Sequence, residues 1–295
     1  MSKYLKTLSL TVYKIFVLKT FNSYKKLITE LKNRTGSLGL VPTMGSLHNG
    51  HISLIEKAVK QNAKVIVSIF INPTQFERKR DLQNYPVNLN GDLNQLKDFN
   101  NVLVYAPSIK ELYPNRIEAK EYDFGKIDKI MEGKTRQNHF NGVATIVEKL
   151  IYIFKPDFAY FGEKDFQQLA IIKSLVKQIR VKTKIISCAT IREDDGLAMS
   201  SRNQLLNKED RKKAILLYKT LLEAKELMHS LSPLEIEKTI SAKFTNIEHI
   251  KLQYFNILTD KSFSRIKNTN YKERYRAFIA CQIGNVRLID NIVLE

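Results

Sequence analysis

The stretch Val41-Pro42-Thr43-Met44-Gly45-Ser46-Leu47-His48-Asn49-Gly50-His51 joins an apolar strand to a helix, and this junction decides the fold. Upstream, residues 39–41 are typical of the end of a buried strand. Downstream, apolar residues recur at helical spacing over residues 52–59, so we expect the helix to begin near Gly50. The unpaired N–H groups and positive dipole end of a helix start attract anions, so the junction predicts a phosphate-binding turn.

Two imidazoles three residues apart add hydrogen-bond donors to this turn. His48 and His51 could reach one bound group, and the missing Cβ of Gly50 allows close backbone approach. The H-x-x-H spacing could instead bind a metal ion, or the turn could be a plain helix cap with surface histidines. A two-histidine metal site needs a third ligand, and no Cys or carboxylate lies near in sequence. We therefore favour nucleotide transfer, although the turn alone names no substrate.

Strands and helices alternate through the first two-thirds of the chain. Continuous apolar strands separated by helices predict an α/β fold, with a Rossmann-like parallel sheet covered by helices on both faces. Ligands bind such sheets beyond the carboxyl ends of the strands, so scattered motifs can converge on one crevice. The predicted strands are residues 38–42, 63–71, 102–105, 158–161 and 184–190.

The pattern changes after Asn203. A long helix is predicted over residues 209–231 and a second over 233–244. Strands at residues 250–258, 277–282 and 286–289 should complete a smaller C-terminal α/β lid domain over the crevice. We place the two domains at residues 1–190 and 191–295.

Size and composition fit a globular protein with a sizeable core, since 43% of its 295 residues are hydrophobic. No apolar run approaches the ~20 residues of a membrane span. Residues 1–13 are basic and then apolar but lack a small-residue cleavage site, so they resemble a short extension rather than a signal peptide. We expect a cytoplasmic protein with no membrane partner. Cys188 and Cys281 lack C-x-x-C spacing and are expected to be buried thiols.

The net charge of +18 raises the possibility of an RNA partner. However, the lysines are scattered singly and form no patch interleaved with aromatic residues. We therefore expect no nucleic-acid partner, and a basic field that helps to collect anionic substrates.

Three further motifs follow the histidine turn in order: Ser68-Ile69-Phe70-Ile71-Asn72-Pro73-Thr74-Gln75-Phe76, Phe161-Gly162-Glu163-Lys164-Asp165-Phe166-Gln167-Gln168-Leu169 and Arg192-Glu193-Asp194-Asp195-Gly196-Leu197-Ala198-Met199-Ser200-Ser201-Arg202-Asn203. Together the four segments closely resemble the pantothenate synthetase (pantoate–β-alanine ligase) family of the H-x-G-H nucleotidyltransferase superfamily. The resemblance runs from about Tyr13 to the C-terminus. It implies an ATP-dependent condensation of pantoate with β-alanine, through pantoyl adenylate, to give pantothenate, AMP and pyrophosphate.

The resemblance also implies roles for residues at matching positions. The catalytic candidates are His48, His51, Lys164 and Arg202. ATP would be bound by Met44, His51, Gly162, Lys164, Asp165, Ser200, Ser201 and Arg202. Within that set, Lys164 would contact the α-phosphate, residues 200–202 the β- and γ-phosphates, and Asp165 with Gly162 the ribose. Pantoate would be bound by Gln75, Gln168, Arg136 and Asn72.

Simpler roles are open for several of these residues. Ser200-Ser201-Arg202 could be a helix cap alone, and Lys164 with Asp165 could be a solvated pair. We favour the functional role for Lys164, because Gly162 predicts a tight turn that aims the lysine inward. Mg²⁺ should accompany ATP, with Asp92 a possible ligand, although an exposed aspartate at a helix start is the simpler interpretation. The family also implies a homodimer.

One segment departs from the family pattern. Gln137-Asn138 replaces the usual Pro-Gly before the pair His139-Phe140, while Arg136 is retained. Among non-glycine residues Asn best tolerates a left-handed backbone, so the geometry around Arg136 depends on Asn138. Two other hypotheses stay open at this point: a different nucleotidyltransferase of the H-x-G-H class that ignores pantoate, and a non-catalytic RNA-binding protein.

Overall fold

The computed structural model describes residues 18–77, 79–265 and 274–294. The N-terminal extension considered above, residues 1–13, lies outside the described residues. The described chain forms a six-stranded sheet followed by a three-stranded sheet.

The first sheet is entirely parallel, with the order β1-β4-β3-β2-β5-β6. Its strands are β1 (Lys19–Phe21), β2 (Leu38–Thr43), β3 (Lys64–Ile69), β4 (Val102–Tyr105), β5 (Phe158–Gly162) and β6 (Lys184–Cys188). The five predicted strands are therefore confirmed, with ends that differ by at most two residues. Strand β1 was missed, because three residues at a sheet edge leave no periodic pattern.

Eight α-helices lie among the described residues of this part and cover the sheet on both faces. They are α1 (Tyr24–Leu31), α2 (Asn49–Gln61), α3 (Lys79–Gln83), α4 (Leu89–Leu96), α5 (Ile109–Leu112), α6 (Met131–Thr135), α7 (His139–Phe154) and α8 (Phe166–Gln178). Two separate clusters of buried apolar side chains result. One packs around α7 and α8 and the other around α2, so both faces of strands such as β2 are buried. The predicted α/β class is confirmed.

The topology reverses direction at β2. From this strand the chain runs outward through β3 and β4 on one side, and β5 and β6 lie on the other side. Crevices for ligands form at such a reversal, beyond the carboxyl ends of the two strands that flank it. Here those ends are Thr43 of β2 and Gly162 of β5.

The C-terminal part is an antiparallel sheet in the order β7-β8-β9 with helices on one face. Its elements are α9 (Lys208–Ala214), α10 (Leu216–Leu227), α11 (Pro233–Lys243), β7 (Ile250–Thr259), β8 (Tyr275–Ile283) and β9 (Val286–Leu294). The single helix predicted over residues 209–231 is two helices that meet at Ile215, and β8 and β9 are longer than predicted. The domain boundary at residue 190 stays a prediction.

A small apolar cluster joins the two parts. Met131 of α6 packs with Leu258, Phe263 and Phe278 from the C-terminal part, and Phe166 lies against the last two rings. This contact places the antiparallel sheet beside the carboxyl ends of β2 and β5.

Candidate active site

A cleft of about 1350 Å³ opens where the carboxyl ends of the parallel strands face the C-terminal sheet. Thirteen of the fourteen predicted site residues line it, although they are scattered along the sequence. They are Met44, His48, His51, Asn72, Gln75, Arg136, Gly162, Lys164, Asp165, Gln168, Ser200, Ser201 and Arg202. The fourteenth residue, Asp92, lies behind the cleft wall.

The turn between β2 and α2 depends on Asp92. Gly45 and Ser46 both have left-handed backbone, with φ of 81° and 51°. The Asp92 carboxylate accepts hydrogen bonds from the backbone N–H groups of Ser46 (3.0 Å) and Leu47 (2.7 Å), and it is 2% exposed. Asp92 does lie in the first turn of α4, as expected, but the prediction that it is exposed was wrong. Both carboxylate oxygens bind the turn, which leaves Asp92 a poor candidate for a metal ligand.

His48 and His51 are neutral imidazoles in this turn. His48 caps α2, its Nδ1 accepting the N–H of Gly50 at 3.2 Å, so the ring proton lies on Nε2. Burial, followed by the charge of Lys164, lowers the pKa of His48 to about 4. Burial and the neighbouring His48 lower the pKa of His51 to about 3, and the two ring centroids are 4.1 Å apart. Both side chains are therefore uncharged hydrogen-bonding groups at pH 7.

His51 carries an unsatisfied polar atom. Its Nδ1 is buried and has no hydrogen-bond partner among the described residues. A buried imidazole nitrogen without a partner costs free energy, roughly 1–3 kcal/mol, so a bound group that supplies the missing partner gains affinity.

The predicted helix start near Gly50 agrees with α2 beginning at Asn49.

Lys164 lies in a short 3-10 turn, Glu163–Asp165, between β5 and α8. Its side chain is 18% exposed, and its ammonium lies 3.8 Å from the Asp165 carboxylate, a distance too long for a strong pair. The predicted tight turn is present directly after Gly162, but Gly162 itself has ordinary extended backbone, with φ of −76°, so the turn does not require a glycine there. No atom of the described chain lies within 4 Å of the position a Cβ would take at Gly162. The glycine therefore widens the cleft beside Lys164.

The segment Ser200–Arg202 both caps a helix and faces the cleft. The Ser200 hydroxyl accepts the N–H of Arg202, which is a capping contact of the kind considered above. The Ser201 hydroxyl donates to the carbonyl of Ser46, so this segment is attached to the histidine turn. The Arg202 guanidinium forms a two-bond pair with Asp81 of α3, at 2.8 and 3.1 Å.

The side-chain amides predicted to bind pantoate differ in how many hydrogen bonds they already make within the protein. The Gln75 Nε2 donates to the sulfur of Met44, and its Oε1 accepts from Asn72. Asn72 is 1% exposed and also donates to the carbonyl of Gly142 and accepts from Tyr113. Asn72 thus orients the strand-end loop that presents Gln75.

Gln168 lies at the start of α8 and lines the same cleft. Its neighbour Gln167 is buried and binds backbone instead, donating to the carbonyls of Ile127 and Ile130 and accepting the N–H of Glu132. Of the two adjacent glutamines in this motif, Gln168 is therefore the one available to a ligand.

Arg136 is oriented by His139, which is itself held by the backbone carbonyl of Gln75. Its Nη1 lies 3.0 Å from His139 Nε2, and His139 Nδ1 lies 2.9 Å from the carbonyl of Gln75. Burial, followed by the charge of Arg136, lowers the pKa of His139 to about 3, so this ring is neutral. It donates from Nδ1 to Gln75 and accepts from Arg136. Asn138 takes the left-handed backbone, with φ of 58°, which Asn tolerates best among non-glycine residues.

A buried charged cluster was missed from the sequence. Glu132 on α6 accepts hydrogen bonds from the Arg287 guanidinium of β9 at 2.5 and 2.8 Å, and from the Tyr254 hydroxyl at 2.7 Å. Arg136 lies 3.7 Å from the same carboxylate. Burial alone would raise the pKa of Glu132, but Arg287, Tyr254 and Arg136 lower it to about 2. This charged cluster links α6 to the C-terminal sheet at the rim of the cleft.

The geometry can be compared with known proteins. The family model for pantoate-beta-alanine ligase matches residues 16–293. A pantothenate synthetase from Flavobacterium psychrophilum is 44% identical over 260 residues, which cover 88% of this chain and 92% of the relative. One from Christiangramia forsetii is 43% identical over 269 residues, covering 91% and 95%.

Solved structures agree with this assignment. The pantothenate synthetase of Thermus thermophilus superposes with a TM-score of 0.87 at 34% identity, covering 93% of this chain and 99% of that one. The pantoate-beta-alanine ligase of Francisella tularensis, complexed with beta-gamma ATP and beta-alanine, gives 0.78 at 38% identity, covering 94% and 98%. By sequence over nearly its whole length and by fold, the chain belongs to the pantoate–β-alanine ligase family.

Proposed function

We propose that this protein joins pantoate to β-alanine at the expense of ATP, in two steps that share one cleft. The observation that carries the proposal is the convergence of three phosphate-binding elements and two glutamine amides that line that cleft. The phosphate-binding elements are the Met44–His51 turn, Lys164 and the Ser200–Arg202 segment, and the amides are Gln75 and Gln168.

In the first step a pantoate carboxylate oxygen attacks the α-phosphorus of ATP. A bond forms between that oxygen and phosphorus, and the bond to pyrophosphate breaks, giving pantoyl adenylate. Negative charge shifts onto the α-phosphoryl oxygens and the leaving pyrophosphate, so catalysis depends on charge stabilisation and positioning. Lys164 supplies a full positive charge, and His48 and His51 supply neutral N–H donors.

In the second step the amine of β-alanine attacks the acyl carbon. The carbon–oxygen bond to AMP breaks, the amide forms, and the attacking neutral amine gives one proton to solvent and keeps the other as the amide N–H. Gln75 and Gln168 have the donors and acceptors that the hydroxyls of pantoate require, so they would keep its acyl group in place for both steps.

Arg202 requires a rearrangement when ATP binds. Its guanidinium is paired with Asp81, and it would exchange that carboxylate for phosphate oxygens. The Asp81 pair is partly exposed, so the exchange costs little, about 1 kcal/mol or less.

Mg²⁺ fits this site as a companion of ATP. Among residues 18–77, 79–265 and 274–294, no cluster of three or more His, Cys, Asp or Glu side chains is arranged to bind a metal, and Asp92 is occupied by the turn. We propose that phosphate oxygens and water provide most Mg²⁺ ligands, and that the bound ion neutralises phosphate charge.

The homodimer and the cytoplasmic location remain predictions. In the described part of the chain, no helix is long and apolar enough to cross a membrane.

The test is the release of pyrophosphate and AMP from MgATP with pantoate, with and without β-alanine. Pyrophosphate release should require pantoate, and AMP release should require β-alanine as well. The variant His51→Ala serves as the control for contaminating activity. ATP binding without any response to pantoate would instead indicate another nucleotidyltransferase with a different substrate.

A further inference from the structure

The C-terminal sheet contacts the turn that carries Lys164. The side-chain amide of Asn291, on β9, donates hydrogen bonds to the backbone carbonyls of Glu163 (3.0 Å) and Lys164 (2.8 Å). Asn291 is 3% exposed. These two bonds join residues more than 120 positions apart in sequence, and they end on the turn whose lysine faces the cleft.

Asn291 is itself fixed by a buried arginine. Arg276 Nη1 donates to Asn291 Oδ1 at 2.5 Å, and Arg276 Nε donates to Asp260 at 2.9 Å. The guanidinium carbon lies 3.8 Å from the ring centroid of Phe166, two residues after Lys164. Because the Arg276 guanidinium binds the amide oxygen of Asn291, only the N–H groups of that amide can face the Glu163–Asp165 turn. The orientation of the Asn291 amide is therefore determined.

The turn needs such support because its own sequence provides little. Gly162 has no side chain to cap it, and the flanking Asp165 makes no side-chain cap bond to α8. The preceding residue of the same strand, Asp290, forms a two-bond pair with Arg192, at the start of the segment that leads to Ser200–Arg202. One strand of the C-terminal sheet therefore contacts both phosphate-binding segments that follow β5.

We propose that Asn291, oriented by Arg276, is a positioning residue for Lys164 in adenylate formation. It does not touch the substrate. It fixes the backbone from which the lysine extends, so that the ammonium meets the α-phosphate when charge develops there. This inference rests on the proposed role of Lys164. A displacement of about 1 Å at a charged group of this kind costs up to ~10²-fold in rate.

Two variants separate this role from a general loss of stability. Asn291→Asp keeps the volume and the acceptor for Arg276 but lacks both N–H donors, whereas Asn291→Ala removes the whole contact. The matched control is Asn101→Ala. Asn101 is also an amide that donates to two backbone carbonyls, those of Val59 and Asn62, but it lies at the amino end of β4, on the other side of β2 from β5.

The experiment measures single-turnover formation of pantoyl adenylate by mass spectrometry, together with the KM for pantoate and the thermal unfolding midpoint. Both Asn291 variants should form adenylate at least about tenfold more slowly, with the KM for pantoate changed by less than about twofold. Asn101→Ala should form adenylate at the wild-type rate. An adenylation rate for Asn291→Asp within threefold of the Asn101→Ala rate would overturn the proposal.

A double-mutant cycle with Lys164→Ala completes the test, using excess enzyme and long incubation to quantify the residual product. If Asn291 acts through Lys164, adding Asn291→Asp to Lys164→Ala should slow adenylation by less than about twofold. An undiminished effect in that background would show that Asn291 acts elsewhere. Failure of the proposed function is a separate result: the wild-type protein would then form no pantoyl adenylate at all.

Discussion

Replacing Glu132 by glutamine should destabilise the protein strongly, although the side chain keeps nearly the same size and shape and loses only its charge and one acceptor oxygen to an NH2 group. The carboxylate is 6% exposed and binds Arg287 and Tyr254, with Arg136 at 3.7 Å. The amide of Glu132→Gln leaves two guanidinium groups without a counter-charge. Loss of one partner from a buried ion pair costs roughly 3–5 kcal/mol.

The pKa of Glu132 gives a second estimate of the same size. Its fall from 4.5 to about 2 corresponds to about 3 kcal/mol of stability at neutral pH. A carboxyl group whose pKa is lowered in the folded state stabilises fully above its unfolded pKa and loses that effect as the pH falls toward the folded value. The difference between wild type and Glu132→Gln should therefore be constant from pH 8 to pH 5 and shrink below about pH 4.5.

Urea unfolding followed by circular dichroism measures the difference in stability between wild type and Glu132→Gln. The urea concentration at the unfolding midpoint should be lower for Glu132→Gln by about 1 M or more. The control is Glu118→Gln, which removes a carboxylate from an exposed pair with Arg116 and should cost less than about 0.5 kcal/mol. A cost below 1 kcal/mol for Glu132→Gln at pH 7, or a difference that grows on acidification, would refute the reasoning.

Three further predictions concern the cleft. Lys164→Ala should slow pyrophosphate release roughly 10²–10³-fold with little change in the unfolding midpoint; normal single-turnover adenylation would exclude a role in the first step. Because the pKa values of His48 and His51 are about 4 and 3, kcat/KM for adenylation at saturating MgATP should show no inflection near pH 6.5, and an acidic limb centred there would mean that an imidazolium is involved. Asn138→Ala should be less stable than Asn138→Gly by about 1 kcal/mol in thermal or urea unfolding, because only the alanine resists the left-handed backbone at this position; equal stabilities would show that the backbone relaxes.

The architecture and the phosphate-binding turn follow from local sequence. Apolar strands and helical periodicity identify β2 to β6, because the burial of both faces of a parallel sheet imposes continuous apolar runs. The glycine-bearing turn before α2 is recognisable from local sequence, because a helix start leaves N–H groups unpaired and so predicts an anion site. The left-handed backbone of Asn138 is compatible with the local sequence, since tolerance of that conformation is a property of a single residue.

The contacts that orient the site could not be predicted in this way. Asp92 contacts a turn 46 positions away, and Glu132 contacts Arg287 across 155 positions. Nothing in the local pattern distinguishes either carboxylate from a solvated one, because burial is decided by how α4 and the C-terminal sheet pack. The tight turn expected after Gly162 is present as Glu163–Asp165, but the role of the glycine itself could not be predicted, for a related reason. The value of that glycine lies in the space it leaves in the cleft, which depends on the surrounding fold.

Isotope transfer tests the central claim most directly, because it follows the bond that the mechanism requires. Pantoate labelled with ¹⁸O in its carboxylate is incubated with MgATP, β-alanine and the protein, and the AMP is analysed by mass spectrometry. If the carboxylate attacks the α-phosphorus, each turnover should place one ¹⁸O atom in the phosphate of AMP. Pantothenate formed together with unlabelled AMP would contradict the adenylate mechanism, and the absence of pantothenate would contradict the proposed function itself.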